Sequence, residues 1–245
     1  MPGIADPVVS RPRAVRFDQG RHPRAKLGFV LLATEQTVQE DMATLVPAGV
    51  GVHATRVAIP DDISVATLAD TAAGLAEAAA RLLPDGSLDV VSYACTSGSI
   101  VIGEERVRTE LNRGAPGAKA TSLYGGVRRA LSALGARRIV VATPYLEAVA
   151  REGLGLQGLN IREDSDMVKV APDFLLEFAR GLDRPEADTL FISCGALRSI
   201  EVIDALEAAT GKPVVASNQA MAWDCLRLAG IDDRIEGYGR LLRDF

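Results

Sequence analysis

Among the residues of this chain able to do chemistry, Cys95 and Cys194 stand out by position. Cys95 closes the apolar run Leu88 to Ala94 and is followed by Thr96-Ser97-Gly98-Ser99 and a helical pattern from Ile100 to Asn112. Cys194 closes Asp188-Thr189-Leu190-Phe191-Ile192-Ser193 and is followed by Gly195 and a helical pattern from Ser199 to Thr210. An aspartate, Asp89 or Asp188, precedes each cysteine at the same spacing. A thiol between the end of a strand and the start of a helix lies beside free backbone N–H groups, which favour a thiolate and can also hold a substrate carboxylate. A single cysteine after an apolar strand is most often a small core residue. That reading suits Cys225, inside a helical stretch beside Trp223. Two cysteines in matching positions point instead to a pair of thiols facing one substrate.

Other chemistries find less support. The two histidines, His22 and His53, lack metal-ligand spacing with a cysteine, so no metal is expected. No glycine-rich phosphate loop follows a strand, so no nucleotide cofactor is expected. A net charge of −5 disfavours nucleic acid as a partner. No apolar run is long enough to span a bilayer, so no membrane partner is expected. The arginine-rich stretch 1–24 has no apolar h-region and reads as a loosely ordered arm. With three widely spaced cysteines, the chain suits a reducing cytoplasm.

The elements that must position the thiols repeat. Strands are expected at Lys26–Ala33, Val50–Ile59, Leu88–Ala94 and Lys119–Ser122, with helices over Val38–Leu45, Val65–Leu83, Ile100–Asn112 and Tyr124–Leu134. From Arg138 the pattern restarts, with strands at Ile139–Ala142, Leu159–Arg162, the run to Cys194, and Val214–Ser217. Helices over Glu147–Glu152, Asp173–Leu182, Ser199–Thr210 and Gln219–Leu228 alternate with them. This duplication predicts two pseudo-symmetric, flavodoxin-like α/β domains with parallel sheets. One would hold residues 25–120 and 217–245, the other 121–216. Ligands of such sheets bind beyond the carboxyl ends of strands, where Thr34, Cys95, Thr143, Cys194 and Ser217 fall. The active site is therefore expected in the cleft between the halves.

Four segments carry a family resemblance: Ala94-Cys95-Thr96-Ser97-Gly98-Ser99, Thr143-Pro144-Tyr145, Ser193-Cys194-Gly195-Ala196-Leu197-Arg198, and Gly211 to Ala220 with Trp223. Together they resemble the aspartate/glutamate racemase superfamily, in its branch of maleate cis–trans isomerases, arylmalonate decarboxylases and ectoine-utilisation A proteins. The resemblance implies a cofactor-independent isomerase of small carboxylates acting through an enediolate, with a racemase of amino diacids as the alternative. It implies Cys95 as nucleophile, Cys194 as acid/base partner and Tyr145 in substrate binding; Gln36, Thr96, Ser97, Ser99, Gly195, Ala196 and Ser217 are the further candidates around the substrate. A homo-oligomer, dimer or tetramer, is expected.

The isomerases carry an asparagine near the end of the first strand, where this chain has Ala33-Thr34-Glu35-Gln36-Thr37 with Gln36 the nearest amide. They carry another in a segment resembling Asp164-Ser165-Asp166-Met167, which has none here. The first of these runs looks more like the ectoine-utilisation branch. These departures imply a substrate with an amino or hydroxy substituent rather than maleate. Arylmalonate decarboxylases have glycine at the Cys95 position, so two cysteines argue against decarboxylation. A binding protein that kept the cleft without catalysis is the remaining reading.

Overall fold

The computed structural model describes residues 13–145 and 157–245. In the first half, β1 (Ala25–Leu32), α1 (Val38–Leu45), β2 (Val50–Val57), α2 (Val65–Asp70), α3 (Leu75–Ala80), β3 (Val90–Tyr93), α4 (Thr96–Ile102), α5 (Glu104–Gly114) and β4 (Lys119–Ser122) follow in order. The helix α6 (Leu123–Ala133) leads into the second half, with β5 (Ile139–Thr143), β6 (Gln157–Gly158), α7 (Asp164–Met167), α8 (Pro172–Gly181), β7 (Thr189–Ile192), α9 (Ile203–Thr210) and β8 (Val214–Ala216). The chain closes with α10 (Ser217–Leu228) and α11 (Gly239–Asp244). The strands form two parallel four-stranded sheets of matching order, β2-β1-β3-β4 and β6-β5-β7-β8.

Side-chain alternation builds the layers. Leu27, Phe29 and Leu31 of β1 and Val90 and Ala94 at β3 face a core that continues through β5, β7, β8, α9 and α10. Val30, Leu32, Val91, Tyr93 and Cys95 face the other way, under α2, α3 and α5. One apolar core thus runs through both sheets, and a second covers the outer face of the first. The paired aspartates serve each half alike. Asp89 accepts from the Lys26 N–H at 2.7 Å, and Asp188 from those of Arg137 and Arg138 at 3.1 and 3.0 Å. Each clamps the start of its half's first strand to the start of the strand that ends at the cysteine.

Four elements depart from the sequence expectation. The helix expected over Val65–Leu83 is interrupted by a 3₁₀ turn at Thr71–Gly74. There the Thr71 hydroxyl donates to the Leu68 carbonyl and meets the buried Tyr93 hydroxyl at 2.9 Å. The helix after Cys95 begins four residues early, at Thr96, and breaks at Gly103, whose φ of +88° no ordinary residue adopts easily. The strand expected at Leu159–Arg162 is reduced to Gln157–Gly158, because Asn160 takes a left-handed φ of +57° and turns the chain out of the sheet. Ser217 opens α10 rather than closing β8. The helix expected at Glu147–Glu152 lies outside the described residues.

Beyond β6 the chain crosses to the first half. Asp62 and Glu163 form an antiparallel bridge, and Asp61 accepts from the Ser165 N–H and hydroxyl at 3.0 and 2.6 Å. The Asp164 N–H reaches the Asp61 carbonyl at 3.3 Å. The loop after β2 is thereby latched to the start of α7.

Candidate active site

Cys95 is the N-cap of α4. Its extended backbone stops the strand, and its sulfur takes the Gly98 N–H at 3.2 Å, the bond a serine or aspartate cap would accept. The Ser97 hydroxyl lies 3.7 Å from the same sulfur. Ser99 donates its hydroxyl back to the Cys95 carbonyl, so it is committed to the helix turn. Gly98 is required by packing, since a Cβ there would strike the Tyr93 hydroxyl.

Cys194 sits differently. Its φ of +153° is one that side-chain-bearing residues seldom adopt, a form of local strain found where a site over-determines the backbone. Its sulfur accepts the Ala196 N–H at 3.3 Å and lies 3.7 Å from the Met167 sulfur. No helix starts directly after it. The Gly195 carbonyl takes the Asn218 amide at 2.8 Å, and the Ala196 carbonyl takes the Thr37 hydroxyl at 3.0 Å. These donors hold the loop open until the 3₁₀ turn at Ser199–Glu201 and α9.

Ser217 joins the two thiol loops. Its hydroxyl oxygen accepts the Cys194 N–H at 3.1 Å and lies 3.1 Å from the Thr96 hydroxyl. Tyr145 is buried close enough to Cys194 and Cys95 for both thiols to act on its hydroxyl electrostatically. The structure therefore brings Cys95, Thr96, Ser97, Tyr145, Cys194, Gly195, Ala196 and Ser217 together, all buried. Gln36 is not among them, because its side chain is exposed. From the same loop Glu35 turns inward, accepting the Thr37 and Val38 N–H groups through Oε1 while its buried Oε2 has no partner.

Sequence reasoning passed over Asp164. Its segment was singled out for lacking an amide, and the inward residue is Asp164 itself, with Ser165 half-buried and Asp166 exposed. The Thr34 hydroxyl donates to Asp164 Oδ2 at 2.7 Å. Asp41, on α1, is also buried and accepts the Asn218 amide at 2.7 Å. Only the burial pattern of α1 in three dimensions distinguishes it from the neighbouring exposed Glu40.

Burial dominates the electrostatics. It raises the Cys95 thiol against the Gly98 N–H and Ser97 hydroxyl, which act to lower it. Against the expectation that helix N–H groups leave Cys95 more acidic than a free thiol, burial outweighs those donors. Cys194 is pushed up to about 12, by burial and then by the Asp164 charge. Tyr145 is raised well above its ordinary value by burial and the neighbouring thiols, so it remains a phenol able to donate. Burial also raises the Glu35 and Asp164 carboxyls and takes Asp41 to about 7. Among the described residues no group of three or more potential metal ligands occurs, and no helix is long and apolar enough to cross a membrane.

Two repeated parallel-sheet halves, with a buried thiol beyond the third strand of each, define a class of two-domain α/β proteins. Within that class the chain belongs to the arylmalonate decarboxylase family, whose model matches residues 27–242. Arylmalonate decarboxylase from Bordetella bronchiseptica is 34% identical over 178 residues, covering 66% of this chain and 74% of the relative. Maleate isomerase from Nocardia farcinica is 27% identical over 241 residues, covering 89% and 95%. The crystal structure of the maleate isomerase Iso from Pseudomonas putida S16 shares the fold, with a TM-score of 0.82 at 22% identity over 90% of this chain and 98% of that one.

Proposed function

We propose that the chain is a cofactor-independent isomerase of small carboxylates, working through two thiols in the manner of the maleate cis–trans isomerases. The observation that carries this is the pairing of Cys95 and Cys194 in one buried site, each sulfur supplied with a backbone N–H. The length of the match to the Nocardia farcinica maleate isomerase supports it.

In this mechanism the Cys95 thiolate adds to one alkene carbon of an unsaturated acid. The displaced π electrons move into the adjacent carboxylate and form an enediolate. The former double bond is now single and rotates. The electrons return, the C–S bond breaks, and the trans acid leaves with the thiolate restored, so no proton is consumed overall. Ser97, Tyr145 and the local N–H groups can donate to the enediolate oxygens, where charge grows during the step. Thr96, Ser99 and Ser217 hold the loops that carry these donors. Cys194 stands as the acid that can protonate the intermediate and take the proton back.

The matched N–H provision at both sulfurs also favours a second reading, in which one thiolate removes an α-proton and the other thiol delivers one to the opposite face. Heavy water separates the two. Cis–trans isomerisation changes alkene geometry with little deuterium uptake, whereas racemisation places deuterium at the α-carbon. A protein that does neither with any small unsaturated, amino or hydroxy acid is a binding protein, and the proposal fails.

We further propose the division of the chain into residues 25–120 plus 217–245 and residues 121–216. The matching strand orders support it.

A further inference from the structure

Within the isomerase reading just given, on which this inference rests, the far end of the substrate site has chemistry of its own. Asp164 is 6% exposed and lies between the two thiol loops. On one side its Oδ2 is held by Thr34, just beyond the end of β1, the strand paired with the one that leads to Cys95. On the other, Met167 lies one helical turn along α7 with its sulfur 3.7 Å from that of Cys194. The Asp164 carboxylate acts electrostatically on both thiols.

Cations that would balance it are missing from the buried set. No lysine, arginine or histidine is buried among the described residues, and Asp164 makes no ion pair among them. Glu35, on the loop that holds Thr34, adds a second buried carboxyl with an oxygen lacking any partner, and the Arg56 guanidinium that acts on it is exposed and bonded to the Leu32, Ala33 and Glu35 carbonyls. A substrate carboxylate brought against these groups would meet like charge in a medium that screens poorly. A hydrogen-bond donor would instead satisfy acceptor oxygens that the protein leaves open.

We propose that Asp164 is a specificity-determining residue. It selects substrates with one carboxylate at the thiols and a donor group (amide, hydroxyl or ammonium) at the other end, and it disfavours a second carboxylate. The identity of the acid thus turns on a side chain that takes no part in bond making.

The test uses the unreactive, nearly isosteric pair succinate and succinamate, titrated calorimetrically into the wild-type protein and Asp164→Asn. Asparagine retains an oxygen to accept from Thr34. At about pH 8, where a carboxyl raised from its ordinary value can still ionise, the wild type is expected to bind succinamate at least about tenfold more tightly than succinate. Asp164→Asn is expected to bring that ratio to about threefold or less. The inference is overturned if the wild type binds succinate as tightly, if the substitution leaves the ratio unmoved, or if neither ligand binds at millimolar concentration. Turnover of maleate and maleamate is assayed alongside. Isomerisation with a ratio indifferent to Asp164→Asn ends this inference and leaves the isomerase. The expected ratio change with no isomerisation of either acid does the reverse.

Discussion

Cys95, Cys194 and Cys225 are all free and buried, yet only the first two have sulfurs that accept described backbone N–H groups. Cys95→Ser and Cys194→Ser are each expected to lower kcat by about a thousandfold or more while leaving the melting temperature nearly unchanged. Cys225→Ala should keep most activity, and a kinetic comparison of the three variants checks this. Because burial raises all three thiols, carboxamidomethylation of the ligand-free enzyme should be slow at neutral pH and accelerate as pH rises. Peptide mapping should find Cys95 labelled before Cys225. Burial raises Asp41 as well, and there the shift bears on stability. The folded protein, with the carboxyl near 7, holds that proton more tightly than the unfolded chain, so its contribution is complete in acid and is lost as pH rises through about 7. Asp41→Asn, which still accepts from Asn218, should flatten the stability profile between about pH 4 and pH 7. The expected change in slope is at most about 1.4 kcal/mol per pH unit, read from urea melts. The charges of Glu35, Glu201 and Glu40 push the Asp41 carboxyl in the same direction as its burial.

At the scale of elements, α10 carries more than a helix-start pattern at Asn218-Gln219 reveals. Its first turn supplies Ser217 to both thiol loops and Asn218 to Asp41 and to the Gly195 carbonyl. Ser217→Ala leaves the buried Cys194 N–H without that acceptor, a loss of about 1–3 kcal/mol in stability. It should also reduce kcat more than it raises KM, since the loop positions a reacting thiol. Denaturant melts and steady-state kinetics read the two effects. The strands were legible because their apolar runs are short and bounded by turn residues, and the duplication was legible because the same order of strand, cysteine and helix recurs. What escaped depended on neighbours in space. The break at Thr71–Gly74 rests on the Tyr93 hydroxyl, the end of β6 on a left-handed Asn160, and the inward turn of Glu35 in place of Gln36 on N–H groups two and three residues ahead. An amide looks like the better carboxylate ligand in a sequence, but local backbone donors decided which side chain faces in.

The halves share one apolar core, and beside it the chain is joined along two seams of different kinds. The chain passes between halves through α6 and again at the start of α10, and these two helices pack on one another. Among the described residues the latch between Asp61–Asp62 and Glu163–Ser165 is held by hydrogen bonds and one ion pair, between Arg162 and Asp62. Ser165→Ala should therefore leave overall stability within about 1 kcal/mol of wild type, because a half-buried hydrogen bond that water can replace contributes little net free energy. It should raise the labelling rate of Cys95 several-fold, measured by mass spectrometry against time. A double covalent crossing on one side and a separable contact on the other make the enzyme resemble a book with a bound spine and a clasp. Should entry require the clasp to let go, the clock for turnover would lie in a contact that never meets the substrate. Added glycerol should then slow wild-type kcat in proportion to viscosity and affect Ser165→Ala less, the signature of a catalyst paced by its own opening.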